Sequence, residues 1–444
     1  MSSSAIFSKH FSEECLQEVY ENSVVLSPAT GIDNLTHKNF WPYLKKEIEI
    51  SSRKALSGNY AFTRYKLKLI SKGRGRSPRE ISIPTIRDRL VLKALCNFLF
   101  EIYSGVVKFE LPQNMVKQAK DGIEAGCYNA FIKLDVENFY PSIRHDKLIS
   151  RVRGKIRASN AISLISSALT TPTVANNYEG YLPAKIGIPQ GLSISNVLAA
   201  IYLSKIDEKY GARSDIRYFR YVDDVFILCD YSDVSSISGE IIADFKKLGL
   251  KVHPAKESGG KSVYGRLGSG FDYLGYYFHG NRVSVREGSI RKIKESLISI
   301  FSSYKHSKGK SVGFLRWRLN LRVTGCVFKG KGKGWMFFFS EINDESLLHN
   351  LDRYVDSLIK RFGLTISPKS FVRTFFELRY SRYSTKYIPN FDAYNVPQMS
   401  SFLLEYFDQN TAGWVPERIK YEFEKKIAKQ TKDLLEDIQA FGYS

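Results

Sequence analysis

The hydrophobic pattern changes period along this chain, and it is sharpest between Ile216 and Cys229. Ile216-Arg217-Tyr218-Phe219-Arg220 and Val225-Phe226-Ile227-Leu228-Cys229 flank Tyr221-Val222-Asp223-Asp224. This predicts strand, tight turn, strand, with two adjacent acids at the turn. Asp135 closes a second, mostly apolar run that starts at Phe131, and Pro141 ends any continuing strand. Gly187-Ile188-Pro189-Gln190-Gly191 breaks the chain into a loop, after which Ile194, Val197, Leu198 and Ile201 recur at helical spacing. Leu67, Leu69, Ile81 and Ile83 flank a basic ribbon, Ser71 to Arg79, with the period of a hairpin. Residues 144–169 read as helical, and Ile290, Ile293, Leu297, Ile300 and Phe301 mark a basic amphipathic helix. At the end, Ile419, Phe423, Ile427, Leu434, Ile438 and Phe441 line one face of a helix opened by Pro416. That face must cover something: the preceding helices, a partner chain or RNA.

Adjacent carboxylates at a hairpin tip need a positive partner, and a hard cation that keeps positions open for substrate phosphates fits them, Mg²⁺ above all. Asp135 supplies a second strand-end acid. Together the two sites can hold the pair of ions that stabilises attacking and leaving oxygens in phosphoryl transfer. Gln190, between two glycines, allows a backbone to approach a ligand closely while one amide reads it. Lys329, Lys331 and Lys333, spaced by glycines and closed by Trp335, combine flexible cations with a stacking ring and suit nucleic acid.

Charge agrees with that chemistry: Lys and Arg number 66 against 45 Asp and Glu, a net +21 with pI ≈ 9.5, and such a field favours polyanions by counter-ion release. Five scattered cysteines, at 15, 96, 127, 229 and 326, form neither a disulfide framework nor a zinc site, and the seven histidines do not cluster with them. No apolar run reaches membrane-spanning length, and Met1 to His10 lacks a signal-peptide core, so the cytoplasm is expected. The 444 residues give room for two or three cores.

The order of these blocks resembles reverse transcriptases of the bacterial group II intron, retron and defence-associated lineage. The resemblance covers roughly residues 60 to 340. It rests on Ser77 to Arg89, which is similar to the fingers motif ending in Pro-Thr-x-x-Asp-Arg, and on the Asp135, Gly187–Asn196 and Tyr221–Asp224 blocks. Leu248-Gly249-Leu250 with Lys256 is similar to the block that brings a lysine to the nucleotide, and Phe271 to Tyr276 to the primer-grip turn. Val323-Thr324-Gly325 resembles a retron thumb motif, but the retron Asn-Ala-x-x-His motif is missing. Gly325 to Asp352 looks more like the anti-phage defence-associated enzymes, and within them the first polymerase of the type-three, two-polymerase systems.

The resemblance implies an α/β right-hand polymerase: an N-terminal extension (1–60), fingers and an antiparallel palm sheet (61–280), a helical thumb (281–340) and a helical C-terminal region (341–444). It implies RNA-directed DNA synthesis from dNTPs on an RNA template, expected to be a dedicated non-coding RNA, with two Mg²⁺ ions and a second reverse transcriptase or a second copy as possible partner. Asp135, Asp223 and Asp224, with the Val136 carbonyl, would hold the metals. Lys72 and Arg79 would clamp the triphosphate, Gln190 would line the nucleotide pocket, and Lys256 would protonate pyrophosphate. Tyr140 stands five residues after Asp135, where RNA-dependent RNA polymerases usually carry an acid for the ribose, so its ring is expected to exclude a 2′-hydroxyl. A splicing maturase and a non-catalytic RNA-binding scaffold are the alternatives.

Overall fold

The structure, a computed structural model, describes residues 2–71, 77–107, 109–175, 182–306, 311–382 and 384–436. The chain divides into two compact units, Met1–Phe109 with Ala130–Gly265, and Glu110–Asn129 with Arg266–Ser444. Among the described residues no helix is long and apolar enough to cross a membrane.

The first unit is built on the predicted palm strands. β3 (Ala130–Glu137) pairs antiparallel with β6 (Asp224–Cys229), which pairs antiparallel with β5 (Arg217–Tyr221). Beyond β3 come β9 (Ser262–Arg266) and β8 (Ala255–Lys256), while β7 (Lys251–Val252) pairs with β3 at Val136. β8 and β9 pair in parallel. Val225 to Cys229 are fully buried, as an unbroken apolar strand in a central position should be. In β3 the pattern alternates at its end: Leu134 and Val136 are buried, Asp135 and Glu137 half-exposed, so the pleat turns Asp135 away from the core.

The Pro84-Thr85-x-x-Asp88-Arg89 string does structural work. Thr85 Oγ1 accepts from Asp88 N and caps the helix Ile86–Tyr103. Asp88, fully buried, accepts from Tyr60 Oη at 2.7 Å and Thr63 N at 3.0 Å, and burial pushes its carboxyl up. Arg89 donates to the carbonyls of Ser27 at 3.1 Å and Ala29 at 2.6 Å, fastening the N-terminal segment. That segment contributes Phe7, Phe11, Leu16 and Tyr20 to the same hydrophobic core. β1 (Tyr65–Ile70) and β2 (Arg79–Ile83) form the expected hairpin, with Ile70 opposite Arg79, and β4 (Thr173–Val174) adds in parallel to β1. Lys72, in the ribbon between β1 and β2, lies outside the described residues.

The second unit carries the meander β10 (Phe271–Tyr273), β11 (Tyr276–His279) and β12 (Arg282–Val285), then the predicted amphipathic helix Glu287–Lys305. Ile293, Leu297 and Phe301 of that helix are fully buried. The terminal helix Pro416–Glu436 buries Ile419, Phe423, Ile427 and Leu434 against Trp317, Leu321, Phe391 and Phe402. Its apolar face is thus covered by its own unit; Ile438 and Phe441 lie outside the described residues.

Candidate active site

The turn between β5 and β6 holds only two residues, Val222 and Asp223, because Tyr221 pairs directly with Asp224. Val222 adopts φ 55°, a left-handed conformation that a β-branched residue resists at a cost of about 1–3 kcal/mol. An arginine holds it there. Arg220 Nη1 donates to the Val222 carbonyl at 2.7 Å, while Nε donates to Asp207 Oδ1 at 2.7 Å and Nη2 to Asp207 Oδ2. Tyr218 Oη donates to the same Asp207 carboxylate at 3.0 Å, fixing that anchor on the helix Ser195–Gly211.

Across the ladder Asp135 stands directly opposite Asp224, so three carboxylates gather at one end of the sheet. Burial, the neighbouring Asp224 charge and, more weakly, Asp135 push the Asp223 carboxyl up to about 6, against the pull of Arg79. Three carboxylates so close together call for positive charge, which a divalent cation would supply. Among the described residues no group of three or more His, Cys, Asp and Glu side chains converges into a ready cage. A hard ion that takes one or two carboxylates and completes its shell from water and substrate phosphates needs no such cage, so the residues fit.

The rim brings several predicted residues together. Arg79 opens β2, is exposed, and lies close enough for its charge to act on both Asp223 and Tyr140. Tyr140 Oη donates to Asn196 Oδ1 at 2.5 Å; burial first, then the Asp223 charge, raise its hydroxyl well above the ordinary tyrosine value. Gln190 is half-buried, and its carbonyl accepts from Ser82 N at 2.7 Å, locking the loop onto β2. Gly191 has φ 103°, and a Cβ there would lie 2.8 Å from Ile81 Cγ2 and 2.9 Å from the Ser82 carbonyl, so only glycine permits this approach.

Lys256 sits exposed on β8, two strands from β3. The basic groups beside Asp135 are others: His253 Nε2 at 3.5 Å and Lys261 Nζ at 4.0 Å, themselves 3.2 Å apart. β7 and β9 deliver them from either end of a short excursion, and Ser262, fully buried, accepts from Asp135 N at 3.0 Å. Neither stands out in the sequence, since only pairing with β3 places them.

Residues 70–278 match the family described as "Reverse transcriptase (RNA-dependent DNA polymerase)". The matched stretch is similar to a reverse transcriptase domain. It takes in β2, the three aspartates, Gln190 and Lys256, just under half of the chain. A protein of the cob intron of Schizosaccharomyces pombe, named as an uncharacterized 91 kDa protein, is 31% identical over 167 residues, 34% of this chain and 19% of that protein. "Group II intron-encoded protein LtrA" of Lactococcus lactis subsp. cremoris is 31% identical over 147 residues, 31% of this chain and 24% of that protein. This stretch is similar to parts of these intron-encoded proteins, and the alignments span under a quarter of the relatives' own lengths. Apo telomerase from Candida tropicalis is a solved structure similar over 94% of this chain and 75% of its own, at 14% identity and TM-score 0.41.

Outside that domain the Lys/Gly run departs from expectation. It is not a flexible tract but a hairpin, β13 (Cys326–Phe328) and β14 (Lys331–Lys333), turned at Lys329-Gly330. Asp392 accepts from the backbone N–H groups of Lys329 at 2.7 Å and Gly330 at 2.8 Å. Lys331 is exposed, Lys329 Nζ faces Glu424 at 3.8 Å, and Lys333 is half-buried, with burial lowering its ammonium's proton affinity. Trp335, expected as a stacking platform for bases, is 1% exposed and packs on Phe339 and Phe371. A ring enclosed in this way is core, which corrects the expectation. The turn that resembles a primer grip is a tight hairpin between β10 and β11, with Leu274 at φ 45° and Gly275 at φ 88°.

Proposed function

We propose that the chain is an RNA-directed DNA polymerase that extends a primer with dNTPs on an RNA template. The observation that carries this is the register of Asp135 against Asp224 with Asp223 on the adjoining two-residue turn. A pair of Mg²⁺ ions, when bound, would favour ionisation of the primer hydroxyl and neutralise charge on the leaving pyrophosphate. Asp135 and Asp223 would be the main ligands, with the Val136 carbonyl and Asp224 completing the set. Arg79 would present a guanidinium fork to phosphate oxygens, Gln190 would line the nucleotide pocket, and the Tyr140 ring, tethered to Asn196, would crowd a 2′-hydroxyl. Lys256 remains the proposed proton donor to pyrophosphate.

The resemblance of Gly325 to Asp352 to defence-associated enzymes supports a dedicated non-coding RNA as template, a role in bacterial anti-phage defence in the cytoplasm, and work beside a second polymerase. The intron-encoded names of the relatives favour a second reading, a maturase that works on its own intron. Sequencing the RNA that co-purifies with the protein separates the two: intron sequence supports the maturase, a discrete non-coding RNA the defence reading.

Purified protein with an RNA template, a DNA primer, dNTPs and Mg²⁺ should extend the primer, and Asp223→Ala should lower the rate by at least about a hundredfold. RNA affinity should survive that change. Extension that persists in the variant overturns the polymerase reading.

A further inference from the structure

The second unit has a surface that combines exposed rings with cations, and it is not the one the sequence pattern advertises. The helix Phe371–Tyr380 buries Phe371, Thr374, Phe375 and Leu378. Its other side shows Arg373, Phe376, Arg379 and Tyr380, and the chain continues with Arg382 and Lys386, all exposed. Phe376 and Tyr380 are one helical turn apart, 37% and 74% exposed, with ring centroids 6.1 Å apart and planes within 10° of parallel. They make a continuous π surface open to solvent. The Arg379 guanidinium lies 6.0 Å from the Tyr380 ring centroid, and that of Arg382 lies 5.9 Å from Phe337. Between Phe371 and Asn390 there are four cations and one acid, Glu377, which already accepts from Thr385 Oγ1 at 2.6 Å and Arg373 Nε at 3.4 Å.

We propose that this face binds single-stranded RNA, the bases stacking on Phe376 and Tyr380 and the phosphates meeting Arg379, Arg382 and Lys386. Exposed parallel rings beside cations match the chemistry of an unpaired strand, whose bases offer free π faces between regularly spaced charges. A duplex hides those faces in its own stack. An acidic protein would answer the cations and leave the rings uncovered. The choice of RNA rests on the polymerase reading: in an enzyme that copies RNA, the uncopied template is the unpaired strand, while new DNA is held in duplex.

The test uses the full chain and a fluorescein-labelled oligoadenylate, with affinity read by anisotropy across a salt series. Phe376→Ala with Tyr380→Ala should weaken binding about ten- to a hundredfold and leave the salt slope unchanged. Arg379→Gln with Arg382→Gln should flatten the slope by about 1.4, near 0.7 for each single-strand phosphate that no longer meets a cation. Replacing both rings with Trp keeps the stacking area and should keep the affinity. Blunt duplex RNA should bind the ring variant as it binds the unaltered protein. Oligoadenylate affinity that is unchanged in the alanine pair overturns the proposal, as does polyglutamate binding with the same dependence on the rings. The underlying reading is separated by Asp223→Asn, which should bind oligoadenylate normally while losing dNTP incorporation. An unaltered protein that never incorporates dNTPs, yet needs the rings to bind RNA, would refute the polymerase and leave this surface standing.

Discussion

Asp223 carries its charge in a place that resists it. Its carboxyl sits at about 6 in the folded chain against an ordinary 3.8, because burial and the charges of Asp224 and Asp135 oppose ionisation. The folded state thus holds the proton more tightly than the unfolded state. The stability this confers is complete below the ordinary carboxylate value and is lost as pH rises through about 6. At neutral pH the ionised, metal-free site costs on the order of 1–3 kcal/mol. Asp223→Asn should therefore raise the melting temperature in EDTA by a few degrees at neutral pH and by less near pH 4. Added Mg²⁺ should stabilise the native protein more than the variant, because binding to the folded state alone stabilises it; melting curves with and without the ion check both. The acids were legible in the sequence because charge between apolar runs has no structural reason to be there. The strain at Val222 was not, nor was the Arg220–Asp207 anchor, whose partners stand 13 residues apart on a strand and a helix. His253 and Lys261 escaped for the same reason, since the pairing of β7 and β9 beside β3, rather than local spacing, sets them near Asp135.

Periodicity read the elements well where one face is apolar. The β5–β6 hairpin, the helix Ser195–Gly211 and the helix Glu287–Lys305 stand where alternation or a helical stripe put them. It failed on the Lys/Gly run because glycine has two uses that look alike in a string. Flexibility was the reading, but a Cβ at Gly332 would lie 2.3 Å from the Phe337 ring, so glycine is there for close packing. Lys331→Ala should accordingly flatten the salt dependence of RNA binding by less than one unit, and Lys333→Ala should leave it unchanged. The terminal helix left three choices open in the sequence, and burial of Phe423 and Ile427 among Trp317, Phe391 and Phe402 decides for packing. Phe423→Glu places a carboxylate in that core with no partner of opposite charge supplied. It should destabilise the protein by about 3–5 kcal/mol or more, seen as an early thermal transition, with primer extension and RNA binding falling together.

At the scale of the whole molecule, a net +21 makes association with RNA an ion-exchange reaction before it is anything specific. If six phosphates are met, raising salt from about 50 to 200 mM should cut affinity roughly a thousandfold, measurable by filter binding. An affinity indifferent to salt would mean that stacking and shape do most of the work. Composition announced this property; it could not announce how the chain is shared between two units. The helix Pro112–Glu124, with Met115, Val116, Ala119 and Ile123 buried, belongs to the second unit although the first resumes at Ala130. The rest of its unit is made only from Arg266 onward, and the last of that unit's described core residues is Leu434. During synthesis at about 5–20 residues per second, the start of that remainder follows this helix by roughly 7–28 s, and the helix waits at least that long for the unit it belongs to. The nascent chain is thus obliged to finish its first unit while holding a piece of the second in reserve, an interval in which a chaperone has a defined segment to shield.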